Sequence, residues 1–154
     1  MLAISRFARE FTFWRVIGAA LVLAAVMCVI VLGALGYYAV AASRAQDLPA
    51  GAEVNAAFAE ARRSWGRHMD IPVHRLALSS AEEYGSGNYL FVFDVYAWLG
   101  IGSGYAAPSC GGGGIVRYGG FAGIGDNSAP TGLEDARAQC IRAHGAGRLV
   151  APGR

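Results

Sequence analysis

The hydrophobic pattern of the chain is dominated by one apolar run near the N-terminus. Residues 16–42 contain no charged side chain. A bilayer core about 30 Å thick is crossed by roughly 20 apolar residues in a helix, so this run predicts a transmembrane helix. Trp14 and Arg15 stand before it and Tyr37 and Tyr38 near its end, in positions where aromatic side chains commonly lie at membrane–water interfaces.

The placement of arginine predicts the orientation of this span. Arg6, Arg9 and Arg15 precede it. On the other side, Arg44 is the one basic residue close to the run. Cytoplasmic flanks carry an excess of basic residues, so we expect residues 1–15 in the cytoplasm and the remainder of the chain exported. The composition has no lysine and is rich in Ala, Gly and Arg, which we interpret as a genome composition bias. We expect the inner membrane of a bacterium, with a periplasmic domain.

The same run has a second interpretation, as a cleaved signal peptide. Ala39, Val40 and Ala41 form a small-x-small site of the kind that signal peptidases cut. The run is, however, longer than the roughly 7–15 apolar residues of a signal peptide. A retained anchor is therefore the preferred prediction, with a secreted chain as the alternative.

After a polar linker at 43–49, the apolar positions follow a helical period. Residues 49–69 present one apolar face with the spacing of an amphipathic helix that packs on a core. The face consists of Val54, Phe58, Ala61 and Trp65.

Two further segments alternate with a period of two, which predicts strands. In 71–80 the alternation puts Leu76 and Leu78 on one face and Val73 on the other. Residues 89–99 are rich in aromatic and β-branched side chains, which strands favour. With a Gly-Ser-Gly-Asn turn between them, the two segments predict a β-hairpin.

Glycine dominates the chain after the second strand. Residues 100–114 are expected to hold no regular structure, with a short strand at 115–118 and another loop after it. The segment 102–107, GSGYAA, matches the dinucleotide-binding pattern G-x-G-x-x-A. Pro108 and further glycines follow, where that motif needs the N-terminus of a helix. We therefore expect no nucleotide as ligand or cofactor.

The cysteine positions predict one disulfide. Cys28 lies inside the apolar run, where it acts as a small apolar residue. Cys110 and Cys140 lie in the exported part, where an oxidising compartment favours their pairing. Closing a loop of about 30 residues removes roughly 3.5–4 kcal/mol of unfolded-state entropy in the chain-entropy model. We expect the bond to hold the glycine-rich loop against the last helix.

That last helix is predicted at 131–145. Thr131 and Glu134 form a capping box at its start, and Gly145 favours its end. The tail at 146–154 is expected to be loose.

Candidate catalytic and metal-binding side chains are few. His68, Asp70 and His74 lie close in sequence, but their spacing matches no familiar metal site. Asp94 stands in an apolar strand, and the sequence places no second group beside it, as general acid–base chemistry requires. We predict no metal, no cofactor and no catalytic residue, and a protein that is not an enzyme.

The charge balance argues against nucleic acid as a partner. Residues 43–154 hold ten arginines and ten acidic residues, so this part has no basic stripe for phosphates. We expect the lipid bilayer and other membrane protein subunits as partners instead. Ala20 with Ala24, and Gly33 with Gly36, are small residues that let a second helix approach closely.

These patterns predict a single N-terminal transmembrane helix plus a small exported α+β domain at 50–145. The domain is expected to hold a helix, antiparallel strands, a disulfide-pinned glycine-rich loop and a C-terminal helix. A neutral domain without catalytic groups on one span is typical of a non-catalytic accessory subunit of a larger membrane complex. The aromatic residues that we expect to contact partners are Tyr96, Trp98, Tyr105, Tyr118 and Phe121.

Two other classes of protein share part of this pattern. An apolar helix beginning at Phe11 and Thr12, an amphipathic continuation, a sheet and a disulfide-bounded C-terminal loop resemble type IV pilin-like proteins, which implies a filament subunit. Glu10 stands where the processing peptidase of that family requires glycine, and Arg15 where its helix carries an acid. The other alternative is an anchored or secreted periplasmic binding module of the inhibitor or adhesin type.

Overall fold

The elements follow the predicted order but are more regular than the glycine content suggests. A computed structural model of the protein describes residues 2–66, 73–98, 100–110, 112–120 and 130–151. The elements are α1 (Leu2–Arg44), α2 (Ala52–Gly66), β1 (Val73–Tyr84), β2 (Asn88–Ala97), β3 (Gly100–Ala107), β4 (Gly112–Gly120), α3 (Pro130–His144) and β5 (Gly147–Ala151). A short 3-10 turn, Pro108–Cys110, joins β3 to β4.

Helix α1 is continuous, and most of its large apolar side chains from Phe13 onward are exposed. Within the described residues, the 32-residue stretch Phe13–Arg44 is the one helix long and apolar enough to cross a membrane. Its length and composition fit a membrane anchor, and its position near the N-terminus also fits a signal sequence. Residues 1–36 and 37–154 form two separate compact units.

The described strands form an antiparallel sheet in the order β4-β3-β2-β1-β5. Strands β1 to β4 form a meander, and β5 returns to pair with β1. The predicted β1–β2 hairpin is confirmed, with Tyr84 paired to Asn88. In its turn, Gly85 and Gly87 have φ angles of 63° and 76°, a region that glycine enters at little cost.

Each face of the sheet is covered by a described helix. On the face that we call the α2 face, Phe91 and Phe93 of β2 pack against Phe58 of α2. On the opposite face, the α3 face, Leu90 of β2 packs with Cys140 of α3. The alternation of β2 therefore supplies both cores, because successive side chains of a strand point to opposite sides.

Two β-bulges in β1 change which of its residues face α2. The first bulge places Val73 in the same cluster as Leu76 and Leu78, so the prediction that Val73 lies opposite these leucines is wrong. The second bulge follows Leu78. Beyond it, Glu82 and Tyr84 lie toward α3.

The glycine-rich segment is not irregular, which corrects the prediction for 100–114. Residues 100–107 form β3, and β4 extends from 112 to 120 instead of 115 to 118. Gly104 pairs with Phe93 across the sheet. A Cβ atom added at Gly104 would lie 2.8 Å from the Phe93 ring and 3.1 Å from Trp65. Glycine is needed here because neighbouring aromatic rings occupy the space of a side chain.

The predicted disulfide between Cys110 and Cys140 is confirmed, with Cα atoms 5.1 Å apart. It joins the β3–β4 connection to α3. Cys140 is fully buried. The bond therefore holds α3 onto the sheet. It does not hold a glycine-rich loop in place, because most of the glycines between the two cysteines belong to a strand.

The ends of α3 differ in part from the prediction. The helix begins at Pro130, so Thr131 lies in its first turn and not at the N-cap. It ends before Gly145, whose φ is 87° and whose amide donates to the carbonyl of Ile141. The prediction of a loose tail is wrong for 147–151, which form β5.

The segment between α1 and α2 is attached to β1. The Leu48 amide donates to the Leu78 carbonyl, and the Leu78 amide donates to Asp47 Oδ1, both at 3.0 Å. Arg62 and Arg75 each approach the other oxygen of Asp47 at 3.7 Å. Asp47 thus connects this segment, the sheet and α2.

Candidate functional site

A groove of about 500 Å³ lies between α2 and the sheet, and we call it the α2 groove. Its volume falls in the range of roughly 300–1,000 Å³ that is typical of small-molecule sites. The lining residues are Ala57, Glu60, Ala61, Ser64, Trp65, Gly87, Tyr89, Phe91, Ala106, Pro108, Ser109 and Gly112.

Small residues on both walls keep this groove open. Ala57 and Ala61 face it from α2, and Ala106 faces it from β3. On the same helix, the larger side chains of Val54 and Phe58 are buried against the sheet. The helix therefore contacts the sheet through these side chains and leaves space beside Ala57 and Ala61.

Aromatic rings form the other part of the lining. Trp65 meets Phe93 edge to face, with ring centroids 4.8 Å apart. Tyr89 stacks on Phe91 at 5.5 Å. A Cβ atom added at Gly113 would lie 2.7 Å from the indole nitrogen of Trp65. Because Gly113 lacks a side chain, the indole can lie close against the sheet at this end of the groove.

The charge of the groove comes from α2. Among the described lining residues, Glu60 is the one with a charged side chain. The neighbouring arginines of α2 are engaged elsewhere. Arg62 pairs with Asp47 and lies 5.8 Å from the Phe58 ring centroid, and Arg63 donates to the Ala59 carbonyl. The groove therefore has an apolar interior with a carboxylate at its edge.

The α3 face carries a network of polar side chains. The Arg137 guanidinium donates to the Glu82 carboxylate through Nε at 2.9 Å and through a terminal nitrogen at 2.5 Å. The Tyr84 hydroxyl donates to the other Glu82 oxygen at 2.5 Å. Since Arg137 lies on α3 and the other two residues on β1, the network connects the helix to the sheet.

This network shifts the pKa values of its members. Partial burial by itself raises the pKa of the Glu82 carboxyl, but the hydrogen bonds from Arg137 and Tyr84 outweigh it and hold that pKa below its usual range. Burial, reinforced by the hydrogen bond to Glu82, raises the pKa of Tyr84 to about 12. Charged Glu82 and neutral Tyr84 are therefore the stable forms at neutral pH.

The residues that the sequence suggested for partner contact fall in different environments. Trp98 is half exposed, and its ring stacks on His74 with centroids 5.4 Å apart. Tyr96 is partly buried. Tyr105 is buried in the α3-face core beside Gly114 and Gly132, so it fills the core. Phe121 and the Tyr118 side chain lie outside the described part of the chain.

The predicted interface residues of α1 form two aromatic pairs. Phe13 and Trp14 meet edge to face at 6.2 Å, and Tyr37 and Tyr38 do so at 5.3 Å. Trp14 and Tyr37 are each about two-thirds exposed, and Arg15 is exposed as well. The two pairs thus lie at the two ends of the apolar run of α1.

The candidate metal and catalytic residues are not gathered at the groove. His68 and Asp70 lie outside the described residues, while His74 is exposed at the start of β1. Asp94 is half-buried at the position opposite Ser103. In the part of the chain that the structure describes, no group of three or more His, Cys, Asp or Glu side chains is placed to hold a metal ion.

Sequence reasoning did not find the α2 groove. Its strongest available signal was the run of alanines at 56, 57, 59 and 61 on α2, opposite a strand whose facing positions are Gly102, Gly104 and Ala106. Where two packed surfaces both carry small residues, the surfaces either approach closely or leave a gap between them. Which of the two occurs here depends on the position of α2.

Comparison of the chain with protein-family models, with curated proteins and with solved structures finds no match. The resemblance to pilin-like proteins therefore stays a prediction, and the groove has to be interpreted from its own chemistry.

Proposed function

We propose that this protein is a non-catalytic accessory subunit of a larger bacterial inner-membrane complex. In this proposal α1 is a retained single-pass anchor, and the disulfide-bonded domain lies in the periplasm. The supporting observation is the apolar stretch Phe13–Arg44. Its charged residues lie near its ends, and no residue of its most apolar 18-residue window is buried inside the protein. A surface of this kind needs lipid or another apolar helix as its environment.

Two observations support the orientation. The disulfide indicates an oxidising compartment for the domain. The arginines that precede the span favour a cytoplasmic N-terminus. Both support an arrangement in which the two ends of α1 lie on opposite sides of one membrane.

The helix itself offers a side for contact with other subunits. At 100° per residue, Gly18 and Gly36 lie on the same side of α1, with Val29 between them and Gly33 close by. A Cβ atom at Gly18, Gly33 or Gly36 would meet no other group within 4 Å. Small residues let a partner helix approach closely and gain packing contacts. Met27 lies on the opposite side and provides a matched control position.

The test begins with the intact mass of the protein from its native membrane, with and without reduction before alkylation. A full-length mass with two thiols released only by reduction supports an anchored subunit. A chain that begins near residue 42 would mean a secreted protein and would overturn the proposal.

The second part of the test locates the partner surface. A photo-cross-linking amino acid is introduced at Val29 or at Met27, and the chain is irradiated in intact membranes. We expect cross-links to other membrane proteins from position 29 and few from position 27. Purification of the intact, full-length protein alone, with equal labelling of lipid from both positions, would contradict a subunit role.

A second candidate function is an anchored periplasmic binding module. The α2 groove favours it, because an accessory subunit that acts only through its helix has no need of an apolar cavity in its domain.

A further inference from the structure

Three features of the α2 groove bear on what it can bind. It has the volume of a small-molecule site. Its interior is lined by the rings of Trp65, Tyr89 and Phe91. Its charged lining residue is an acid, Glu60.

We propose that the α2 groove binds a small organic cation with an apolar body, such as a hydrophobic ammonium compound. The apolar part of the ligand occupies the space above Ala57, Ala61 and Ala106, and the cationic group lies near Glu60. The proposal concerns the domain alone, so it holds whether or not α1 assembles with partners.

Charge complementarity selects a cation over an anion. A bound anion would face the carboxylate of Glu60, and no arginine is among the described residues that line the groove. A cation gains the carboxylate as partner. It also gains attraction to the negative faces of aromatic rings, worth about 0.5–2 kcal/mol according to how far it is desolvated.

The lining also selects an apolar body over a polar one. A sugar or a peptide backbone would bring hydroxyl or amide groups into the groove, and each buried polar group needs a hydrogen-bond partner. The side chains in the described lining that can form hydrogen bonds are those of Glu60, Ser64, Trp65, Tyr89 and Ser109. Apart from the carboxylate, each offers a single hydroxyl or N–H group, which suits the edge of a ligand better than an extended polar surface.

The probe for the test is benzyltrimethylammonium, compared with neutral benzyl alcohol and anionic phenylacetate. The full chain is prepared in lipid nanodiscs, with empty nanodiscs as the blank. Binding is followed by the NMR signal of the Trp65 indole N–H. This signal is distinguished from those of Trp14 and Trp98 by Trp→Phe variants at the latter two positions.

Two pairs of variants identify the site. Glu60→Gln removes the charge while keeping the shape, and Glu134→Gln removes an exposed charge on α3 as its control. Ala57→Leu fills the groove, and Ala56→Leu adds the same side chain at an exposed position one residue earlier.

We expect a saturable shift of the Trp65 signal with benzyltrimethylammonium and about tenfold weaker binding of benzyl alcohol. Glu60→Gln and Ala57→Leu each weaken cation binding by at least about fivefold, while the two controls leave it unchanged. Unchanged signals elsewhere in the spectrum show that the variants are folded.

Three results would overturn the proposal. These are equal affinity for the cation and for benzyl alcohol, tighter binding of phenylacetate, or no saturable shift up to the solubility limit of the cation. None of them bears on the anchoring of α1, which the mass and cross-linking measurements test separately.

Discussion

The two faces of the sheet are covered by helices of equal length, 15 residues each, but the helices are held differently. Helix α3 is fixed by a disulfide and by the hydrogen-bonded pair of Arg137 and Glu82. Helix α2 is held mainly by apolar packing along its length, through Val54, Phe58, Ala61 and Trp65. Covalent and ionic links fix a helix at defined points, whereas apolar packing spreads the attachment over many weak contacts. The α2 groove lies on the side that is held mainly by packing, and a second groove, of about 330 Å³, lies beside α3.

This difference suggests a division of roles between the faces. A ligand bound in the α2 groove would need no change in the links of α3. The α3 face carries the disulfide and the Arg137–Glu82 pair, whereas the α2 face carries the larger apolar core together with the groove.

The largest effect is expected from removal of the disulfide. The double variant Cys110→Ala, Cys140→Ala should lower the free energy of unfolding by roughly 3–4 kcal/mol, because the bond closes a loop of 30 residues in the unfolded chain. The measurement is urea unfolding of the full chain in nanodiscs, followed by Trp65 fluorescence with Trp14 and Trp98 replaced by Phe.

The control for this experiment is Cys28→Ala, since Cys28 is free and exposed on α1. It should leave the unfolding of the domain unchanged. A loss below about 1 kcal/mol in the double variant would mean that packing and the ion pair are sufficient to hold α3.

The next effect is expected on the α2 face, where glycine allows aromatic packing. Gly104→Ala should destabilise the domain by about 1–3 kcal/mol, because its Cβ atom would lie 2.8 Å from the Phe93 ring and 3.0 Å from the Gly114 carbonyl oxygen. The matched control is Gly119→Ala on the neighbouring strand, where the added atom meets nothing within 4 Å. The same urea measurement compares them.

An equal response of the two glycine variants would show that Trp65 and Phe93 can move aside at no cost. Aromatic packing would then not explain the glycines of β3, and backbone flexibility would have to explain them.

These glycines also show where sequence reasoning stops. The periods of 3.6 and 2 correctly predicted α2 and the β1–β2 hairpin, because each pattern is local and reports one buried side. The segment at 100–107 has no such pattern, since Gly102 and Gly104 present no side chain to the α2 face. Its strand conformation depends on pairing with β2 and on Trp65, which comes from a helix some forty residues earlier. Local preference for a loop was overridden by this long-range packing.

The same limit applies to β5 and to the groove. The segment 147–151 is short and follows a helix. It forms a strand because it pairs with the free edge of β1. The disulfide was predictable because the part of the chain predicted to be exported has two cysteines, which leave a single pairing. The groove was not, because its existence depends on the distance between α2 and the sheet.

The smallest effect concerns two adjacent glutamates of β1 that point to opposite faces. The two carboxylates are similarly buried, but the partner of Glu82, Arg137, is 41% exposed, whereas the partner of Glu83, Arg148, is 78% exposed. We expect Glu82→Gln to lower the unfolding free energy at pH 7 by about 1 kcal/mol, a value reduced for the partial exposure of Arg137. Glu83→Gln should have a smaller effect, because solvent screens a pair whose arginine is largely exposed.

The pH dependence of this difference identifies its cause. The pKa of Glu82 is lower in the folded protein than in the unfolded chain. Its contribution is therefore complete above the unfolded value of about 4.3 and is lost as the pH falls through the folded value. The gap between wild type and Glu82→Gln should close as urea unfolding is repeated from pH 7 down to about pH 3. A gap that stays constant over this range would mean that Glu82 holds α3 through its shape and hydrogen bonds, and that its charge adds nothing.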